Sequence, residues 1–345
     1  MEITKNKKIA IVILNWNGSA LMEKYLPSVV RYSPAEWADV IVADNGSTDD
    51  SLQMLADKFP SVQIIRMDKN YGFAEGYNQA LKQISHPYSV LLNSDVEVTP
   101  NWLDAPCRLL DTHPDVVAVQ PKIKAADQRA FFEYAGASGG FMDKYGYPFC
   151  RGRLLHIVEE DSGQYDTPID VLWATGACLF IRTDVYKAVG GLDGDFFAHQ
   201  EEIDMCWRLR ARGYRLVCTP QSVIYHKGGG TLNVESPRKT FLNFRNNLLM
   251  LYKNLPDKDL KPVMRLRFWL DYLAALKFFL TGHVANAKAV YQARREFYQL
   301  LPQFEQKRME NMQKTVLTEI PELKSYSLLW QFYLKGRKHY SELPQ

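Results

Sequence analysis

The sequence contains no pair of cysteines at C-x-x-C spacing: Cys107, Cys150, Cys178, Cys206 and Cys218 are odd in number and widely separated. That argues against a disulfide framework and a structural zinc site, and it leaves reduced thiols in or near the core. No G-x-G-x-x-G follows the first apolar run, and G-x-x-x-x-G-K-S/T occurs nowhere, so neither a dinucleotide fingerprint nor a P-loop is available. Dehydrogenase and ATPase readings lose most of their support. Met1 to Lys8 is polar and basic, and the apolar run after it, Ile9 to Leu14, is the length of one buried strand. No signal peptide is read there, and the start of the protein is expected in the cytosol.

Charge is unevenly placed. From Arg238 to Gln345 there are 19 Lys and Arg against 9 Asp and Glu, whereas the first 237 residues carry 23 basic and 30 acidic side chains. The chain has an acidic front and a basic back.

The front alternates apolar strands with helical spacings. Ile9–Leu14, Asp39–Ala43, Val62–Arg66 and Tyr88–Leu92 read as strands, and the first three are each followed by apolar residues at helical intervals. This pattern predicts an α/β fold with a doubly wound, mostly parallel sheet, whose binding crevice lies along the C-terminal edge of the strands. Three polar segments then converge on one edge: Asn15-Trp16-Asn17-Gly18, Asp44-Asn45-Gly46-Ser47 and Leu92-Asn93-Ser94-Asp95. A carboxylate held at the end of a buried strand makes Asp95 a candidate for binding metal or handling phosphate, although such junctions are also plain turn chemistry. Thr99-Pro100 is expected to start the next helix as N-cap and first residue.

Val116–Gln120 is expected to be a further strand. Residues 121 to about 170 are glycine-rich and irregular, and are read as an excursion beside the site, either a small β-hairpin insert or a mobile substrate-binding segment. Order resumes before Cys178, and Thr183 is expected to cap a short helix closed by Gly190-Gly191. Ile203, Cys206, Trp207 and Arg210 fall on helical spacing, which puts Glu201, Glu202 and Asp204 in a first turn directly after an aromatic loop. The helix dipole favours any one acid there, but three exceed what capping needs. Strands are expected at Arg215–Thr219 and Val223–Tyr225. His226 then stands beside Lys227-Gly228-Gly229-Gly230-Thr231, a backbone-exposing turn suited to metal or phosphate.

Taken together and in order, these motifs resemble the family-two inverting glycosyltransferases of the GT-A fold, particularly the rhamnosyltransferase-like branch. The resemblance covers about Lys8 to Asn254. It rests on Val12-Ile13-Leu14-Asn15-Trp16-Asn17, Val42-Ala43-Asp44-Asn45-Gly46-Ser47-Thr48-Asp49, Asn70-Tyr71-Gly72-Phe73-Ala74-Glu75-Gly76-Tyr77-Asn78, Leu92-Asn93-Ser94-Asp95, Gly176-Ala177 with Gly190-Gly191-Leu192-Asp193, Glu201-Glu202-Ile203-Asp204, and His226-Lys227-Gly228-Gly229-Gly230. The resemblance implies a sugar transferase taking a nucleotide-diphospho-sugar donor and a glycan or lipid-linked acceptor in cell-surface polysaccharide synthesis, with Mg²⁺ or Mn²⁺ as cofactor. Asp44 would accept a hydrogen bond from the nucleotide base, in a pocket with Asn15, Asn17 and Ser47. Asn70, Gly72, Gly76 and Asn78 would pass under the nucleotide, and Asn93 and Ser94 would line the donor site. Asp95 and His226 would hold the metal, and Glu202 would be the general base. Glu201 and Asp204 would hold sugar or acceptor hydroxyls, and Asp193 would make a further such contact. The chain departs from the family pattern in two places. Asn93 occupies the first position of the family's D-x-D, and the base is Glu202 where relatives often carry Asp.

The catalytic domain is accordingly expected over residues 1–254, and a basic, amphipathic helical region over 255–345. Aromatic and aliphatic residues among Arg265, Arg267 and Lys277, and again from Ser327 to Tyr340, contain no stretch approaching the roughly 20 apolar residues of a membrane span. They suit a helix lying on the anionic inner face of the cell membrane, or helices packed on the catalytic domain or on a second copy of the chain as a homodimer. No nucleic-acid recognition motif appears. Two other readings compete with the transferase: a sugar-nucleotide pyrophosphorylase, whose Arg/Lys-containing glycine-rich first loop is absent here, and a silent sugar-nucleotide-binding scaffold, which Asn93 favours and the intact acidic turn opposes.

Overall fold

A computed structural model describes residues 8–228 and 236–344. The front of the chain alternates as its spacing predicts: β1 (Ile9–Asn15), α1 (Ser19–Tyr32), β2 (Ala38–Asp44), α2 (Ser51–Lys58), β3 (Gln63–Arg66), α3 (Gly72–Lys82) and β4 (Tyr88–Leu92). β5 (Val96–Val98), α4 (Asp104–Thr112) and β6 (Val116–Ala125) follow. β1 pairs in parallel with β2 and β4, and β2 with β3. β1 and β4 are completely apolar or nearly so along their centres because helices cover both faces of the sheet.

The other half of the sheet is mixed. β12 (Cys178–Arg182) lies antiparallel between β4 and β6, whereas β13 (Arg215–His226) runs parallel to β6. β11 (Ile169–Asp170) and β5 pair antiparallel with β13. A buried apolar run looks the same in either direction, so spacing alone does not distinguish these orientations. The two strands expected at 215–219 and 223–225 are one, with a register shift between Thr219 and Val223. Pro220 lies within that shift and cannot donate to a ladder. Thr99 does not cap a helix: its hydroxyl donates to the Val223 carbonyl at 2.7 Å, and α4 begins at Asp104. Thr183 is the first residue of α5 (Thr183–Val189), with its hydroxyl 2.8 Å from that of Ser89.

The excursion is ordered. β7 (Gly140–Asp143), β8 (Pro148–Cys150), β9 (Arg153–Leu154) and β10 (Ile157–Val158) form a second sheet. Its fifth strand, β14 (Leu323–Lys324), comes from the far end of the chain and pairs in parallel with β7. The Asp143 carboxylate ties the two segments, accepting from the amides of Tyr145, Tyr147 and Leu328. Phe141, Phe149, Tyr326 and Tyr340 pack around this join.

After α6 (Glu201–Ala211) and β13, three long helices follow: α7 (Pro237–Asn254), α8 (Asp257–Leu280) and α9 (Val284–Gln313). Buried Asp271 joins α8 to α9, accepting from Arg267 within its own helix and from Arg294 across the pair. The Ser327–Tyr340 stretch is no amphipathic helix; it contains one short wide turn, Trp330–Leu334, with Phe332 buried beneath it. Among the described residues no helix is long and apolar enough to cross a membrane. All five cysteines are free and buried.

Candidate functional site

β1, β2 and β4 end side by side, and their loops are knitted together. Asn15 Nδ2 donates to Asp44 Oδ1 and to Ser47 Oγ, each at 3.1 Å. The other Asp44 oxygen accepts the Ser47 amide at 3.1 Å. Asn17, held at φ 51°, takes the Thr48 amide on its side-chain oxygen at 2.7 Å. Among the described residues Asn15 Oδ1 is buried without a partner, which leaves this floor a free acceptor. Asn45 Nδ2 reaches Asn70 Oδ1 at 3.1 Å and the Gly72 carbonyl at 2.9 Å, which fixes the 70–72 segment against the β2 loop. Asn15, Asn17, Asp44, Ser47, Asn70 and Gly72 therefore belong to one connected surface. The Ser94 hydroxyl lies across from it, 3.8 Å from where a side chain on Gly18 would begin.

Two residues expected on that surface have other duties. A Cβ on Gly76 would stand 3.0 Å from the Leu14 side chain, so this glycine lets α3 approach β1. Asn78 is a brace: its Nδ2 donates to the Leu192 carbonyl at 2.7 Å, and its Oδ1 accepts from the Leu192 amide and the Tyr186 hydroxyl. With both ends of its amide used on the 186–192 segment, it is corrected from a nucleotide contact to a tie between α3 and α5.

Asp95 and His226 meet at the end of β13, where Asp95 Oδ1 stands 3.1 Å from His226 Nε2. Asn93 Nδ2 is 3.3 Å from the same ring nitrogen. Behind the ring, Glu133 Oε1 faces Nδ1 at 3.3 Å. Glu133 lies in the excursion and escaped the sequence reading, because nothing local to Phe132-Glu133-Tyr134 marks it. Burial opposes charge on the His226 ring, but Glu133 and Asp95 outweigh it and push the pKa up to about 10. Burial likewise works against ionised Asp95, and the His226 contact overcomes it, holding this carboxyl below the usual range. Gly229, Gly230 and Thr231 lie outside the described residues.

Asp95 and His226 offer one hard oxygen and one imidazole nitrogen. Their 3.1 Å contact is an ion pair with the protonated ring, and a divalent cation bound there would take the place of the Nε2 proton. A carboxylate behind a ligand imidazole is the usual outer partner, fixing its tautomer. Among the described residues no group of three His, Cys, Asp or Glu side chains could hold a metal ion. The donor set fits a cation that takes its remaining ligands from a substrate diphosphate.

The acidic turn is reached through a strained loop. Phe197, His199 and Gln200 take φ values of 65°, 71° and 73°, each costing about 1–3 kcal/mol for a residue with a side chain. Phe197 touches the start of α3 directly: its carbonyl accepts the amides of Phe73 and Ala74 at 2.9 and 3.3 Å, and its ring fills the space above Gly72. Glu201 and Glu202 follow at the start of α6. Among the described residues each has a buried Oε2 without a hydrogen-bond partner, as does His199 at Nε2. Burial raises the Glu202 pKa, and the Gly176 amide offsets part of the rise. Glu201 is raised well above the ordinary range by burial, with the Glu202 charge adding to it. Burial, with the Lys239 charge adding to it, pushes His199 down to about 4.

Asp204 and Asp193 are corrected. Asp204 is fully buried, with its carboxylate on Arg208 at 2.9 Å, Lys253 at 2.8 Å and the Asn254 amide at 2.8 Å. Asp193 pairs with Lys253 at 2.7 Å and with Lys307 at 2.5 Å. Burial alone would raise the Asp193 pKa, and the two ammonium groups instead hold it far below the usual range. Both carboxylates are taken up by cations: Asp204 and Asp193 share Lys253 of α7, and Asp193 alone reaches α9 through Lys307.

Residues 10–190 match the family described as Glycosyl transferase family 2. The N-acetylglucosaminyl-diphospho-decaprenol L-rhamnosyltransferase of Mycobacterium tuberculosis is 24% identical over 238 residues, 65% of this chain and 77% of that protein. In fold, the chain is similar to GalNAc-T7, solved with UDP, GalNAc and Mn²⁺, at a TM-score of 0.59 and 14% identity, over 96% of this chain and 57% of the other. It is also similar to the mannosyltransferase PcManGT of Pyrobaculum calidifontis, solved with GDP-Man and Mn²⁺, at a TM-score of 0.53 and 14% identity, over 90% and 85% of the two chains.

Proposed function

The chain belongs to glycosyl transferase family 2, and from that premise we propose that it moves a sugar from a nucleotide-diphospho-sugar to a hydroxyl of a glycan or lipid-linked acceptor, with inversion, in cell-surface polysaccharide synthesis. The observation that carries this reading is Glu202. Its carboxylate has an unpartnered buried oxygen and a raised pKa, and it follows the loop whose Phe197 touches the donor segment at Gly72–Ala74. A carboxylate tuned upward in this way is a better general base for an alcohol than an ordinary one.

The surface formed by Asn15, Asn17, Asp44, Ser47, Asn70 and Gly72 binds and orients the nucleoside part, and Asn93 and Ser94 line the approach to the diphosphate. Glu202 takes the proton from the acceptor hydroxyl as its oxygen bonds to the sugar's anomeric carbon. The bond from that carbon to the diphosphate breaks on the opposite face, which inverts the centre. Glu201, buried and biased toward its neutral form, holds a hydroxyl as a donor. A divalent cation, Mg²⁺ or Mn²⁺, bound by Asp95 and His226 would neutralise the leaving diphosphate.

A lipid-linked acceptor is supported by α8. Trp269, Leu273, Leu276 and Leu280 form an exposed stripe at helical spacing, flanked by exposed Arg265 and Lys277. No acid occurs between Asp271 and Glu296. Apolar side chains rimmed by cations suit peripheral contact with the anionic inner face of a cell membrane.

The experiment is a panel of UDP-, GDP- and dTDP-sugars with Mn²⁺ or Mg²⁺, read as nucleoside diphosphate release with and without added polyprenyl-diphosphate glycans. Donor- and metal-dependent release that Glu202→Gln lowers by about 10²–10⁴-fold, with nucleoside diphosphate binding retained, is the expected result. Release at the wild-type rate from Glu202→Gln would remove it as base.

A further inference from the structure

α7 meets the strained loop with three consecutive buried polar residues, Arg245, Asn246 and Asn247. The Asn246 amide nitrogen lies within hydrogen-bond distance of three loop carbonyls: Phe196 at 2.9 Å, Ala198 at 2.9 Å and His199 at 2.7 Å. Arg245 sets the direction of that amide, its Nε donating to Asn246 Oδ1 at 2.9 Å. The same guanidinium donates to the Asp195 and Phe196 carbonyls at 3.0 and 3.1 Å. These carbonyls bracket the residues with positive φ, where regular helix or strand bonding cannot use them. A fully buried amide is costly unless its hydrogen bonds are made, and among the described residues they are made to this loop and to Arg245. From its other side the loop is held by the α3 amides of Phe73 and Ala74 on the Phe197 carbonyl.

We propose that Asn246, oriented by Arg245, is a positioning residue for sugar transfer: its amide gathers the carbonyls of Phe196, Ala198 and His199, fixes the left-handed backbone of that loop, and so aims Glu202 at the acceptor while keeping the loop against the donor segment. The proposal rests on Glu202 being the base. It explains why strained, non-glycine backbone persists directly before the acidic pair, since a relaxed loop would start α6 in another direction. Asn246 touches neither donor nor acceptor in this role. Its effect passes through the backbone of residues 196–200.

The test compares Asn246→Asp, which keeps the shape but replaces the donating group with an oxygen facing three carbonyls, and Arg245→Gln, which leaves the amide in place without its guide. For folded Asn246→Asp, kcat for the sugar nucleotide turned over in the donor panel falls about 100-fold, the loss expected when a catalytic group is misplaced by about 1 Å. KM for that donor stays within about threefold, because the nucleoside surface is untouched. The acid limb of the kcat–pH profile moves to lower pH as water reaches Glu202 and relieves its desolvation. Arg245→Gln shifts kcat and the limb in the same directions by less. Wild-type kcat per folded molecule in both variants, or a lowered kcat with an unmoved acid limb, overturns the proposal. If Asn246→Asp does not fold, the Arg245→Gln limb decides. A fully active Glu202→Gln would instead sink the base assignment, whereas an inactive Glu202→Gln beside a normal Asn246→Asp sinks only the positioning role.

Discussion

Lys253 Nζ stands 2.8 Å from Asp204 Oδ2, and both groups are almost completely buried. The same ammonium reaches Asp193 at 2.7 Å. One cation from α7 thus joins the helix that carries Glu202 to the turn after Gly190-Gly191, and two acids that read as sugar contacts become part of the frame. Replacing Lys253 by Met leaves two buried carboxylates short of a partner. A loss of about 3 kcal/mol is expected, at the low end for a broken buried pair because Arg208 and Lys307 remain. Urea unfolding followed by fluorescence measures it, and a change under about 1 kcal/mol would show that the pair is not holding α7 in place.

The pH dependence follows from burial at Glu202. As the proposed base Glu202 works deprotonated, and its pKa lies above the ordinary value. Activity is therefore full above that raised pKa and declines as pH falls through it, before an ordinary glutamate would protonate near pH 4.3. A kcat profile from pH 4 to 9 at saturating donor checks this. A rate constant that stays flat down to about pH 4.5 contradicts the burial argument.

Glu133 sits behind His226 Nδ1 at 3.3 Å and is expected to set the ring's tautomer for a cation on the opposite nitrogen. Glu133→Gln should weaken Mn²⁺ binding about 10–100-fold in the presence of UDP, with UDP affinity in the absence of metal unchanged. Electron paramagnetic resonance of free Mn²⁺ gives the affinity directly, and an unaltered value would reduce Glu133 to a structural acid that accepts the Ala135 and Gly136 amides.

The α8 stripe is best tested in the full chain. Removing residues 255–345 would also remove β14, the Tyr340 contacts and the Arg210–Glu322 pair at 2.7 Å, so truncation confounds membrane contact with damage to the catalytic unit. Trp269→Ser with Leu273→Ser alters only exposed side chains. Co-sedimentation with vesicles containing anionic lipid should fall several-fold at physiological salt, and less at low salt, where the unscreened attraction of Arg265 and Lys277 remains in both proteins. Equal partitioning of the two proteins would remove the stripe as a membrane seat.

Periodicity in the chain was enough to specify the parallel half of the fold and the polar loops at its edge. Buried strands such as Ile9–Asn15 and Tyr88–Leu92 announce themselves as short apolar runs, and Asn15, Asp44, Asn93 and Asp95 stand at their C-terminal ends, so periodicity alone brings those loops to one edge. Glu201, Glu202 and His226 were legible because acids after an aromatic loop and an imidazole before a triple glycine exceed local needs. Packing in three dimensions settles which polar groups stay free and which are consumed in holding the elements together. Asp193, Asp204 and Asn78 look the same as Glu202 in one dimension. Their partners Lys253, Lys307, Leu192 and Tyr186 arrive from elements 49 to 114 positions away, and local patterning carries no trace of such pairings. The same holds for Glu133, for β14 on β7 and for Asn246 under the 196–200 loop: each contact joins segments of the chain that propensity treats as independent, and it exists only because packing buries polar groups that must then find partners.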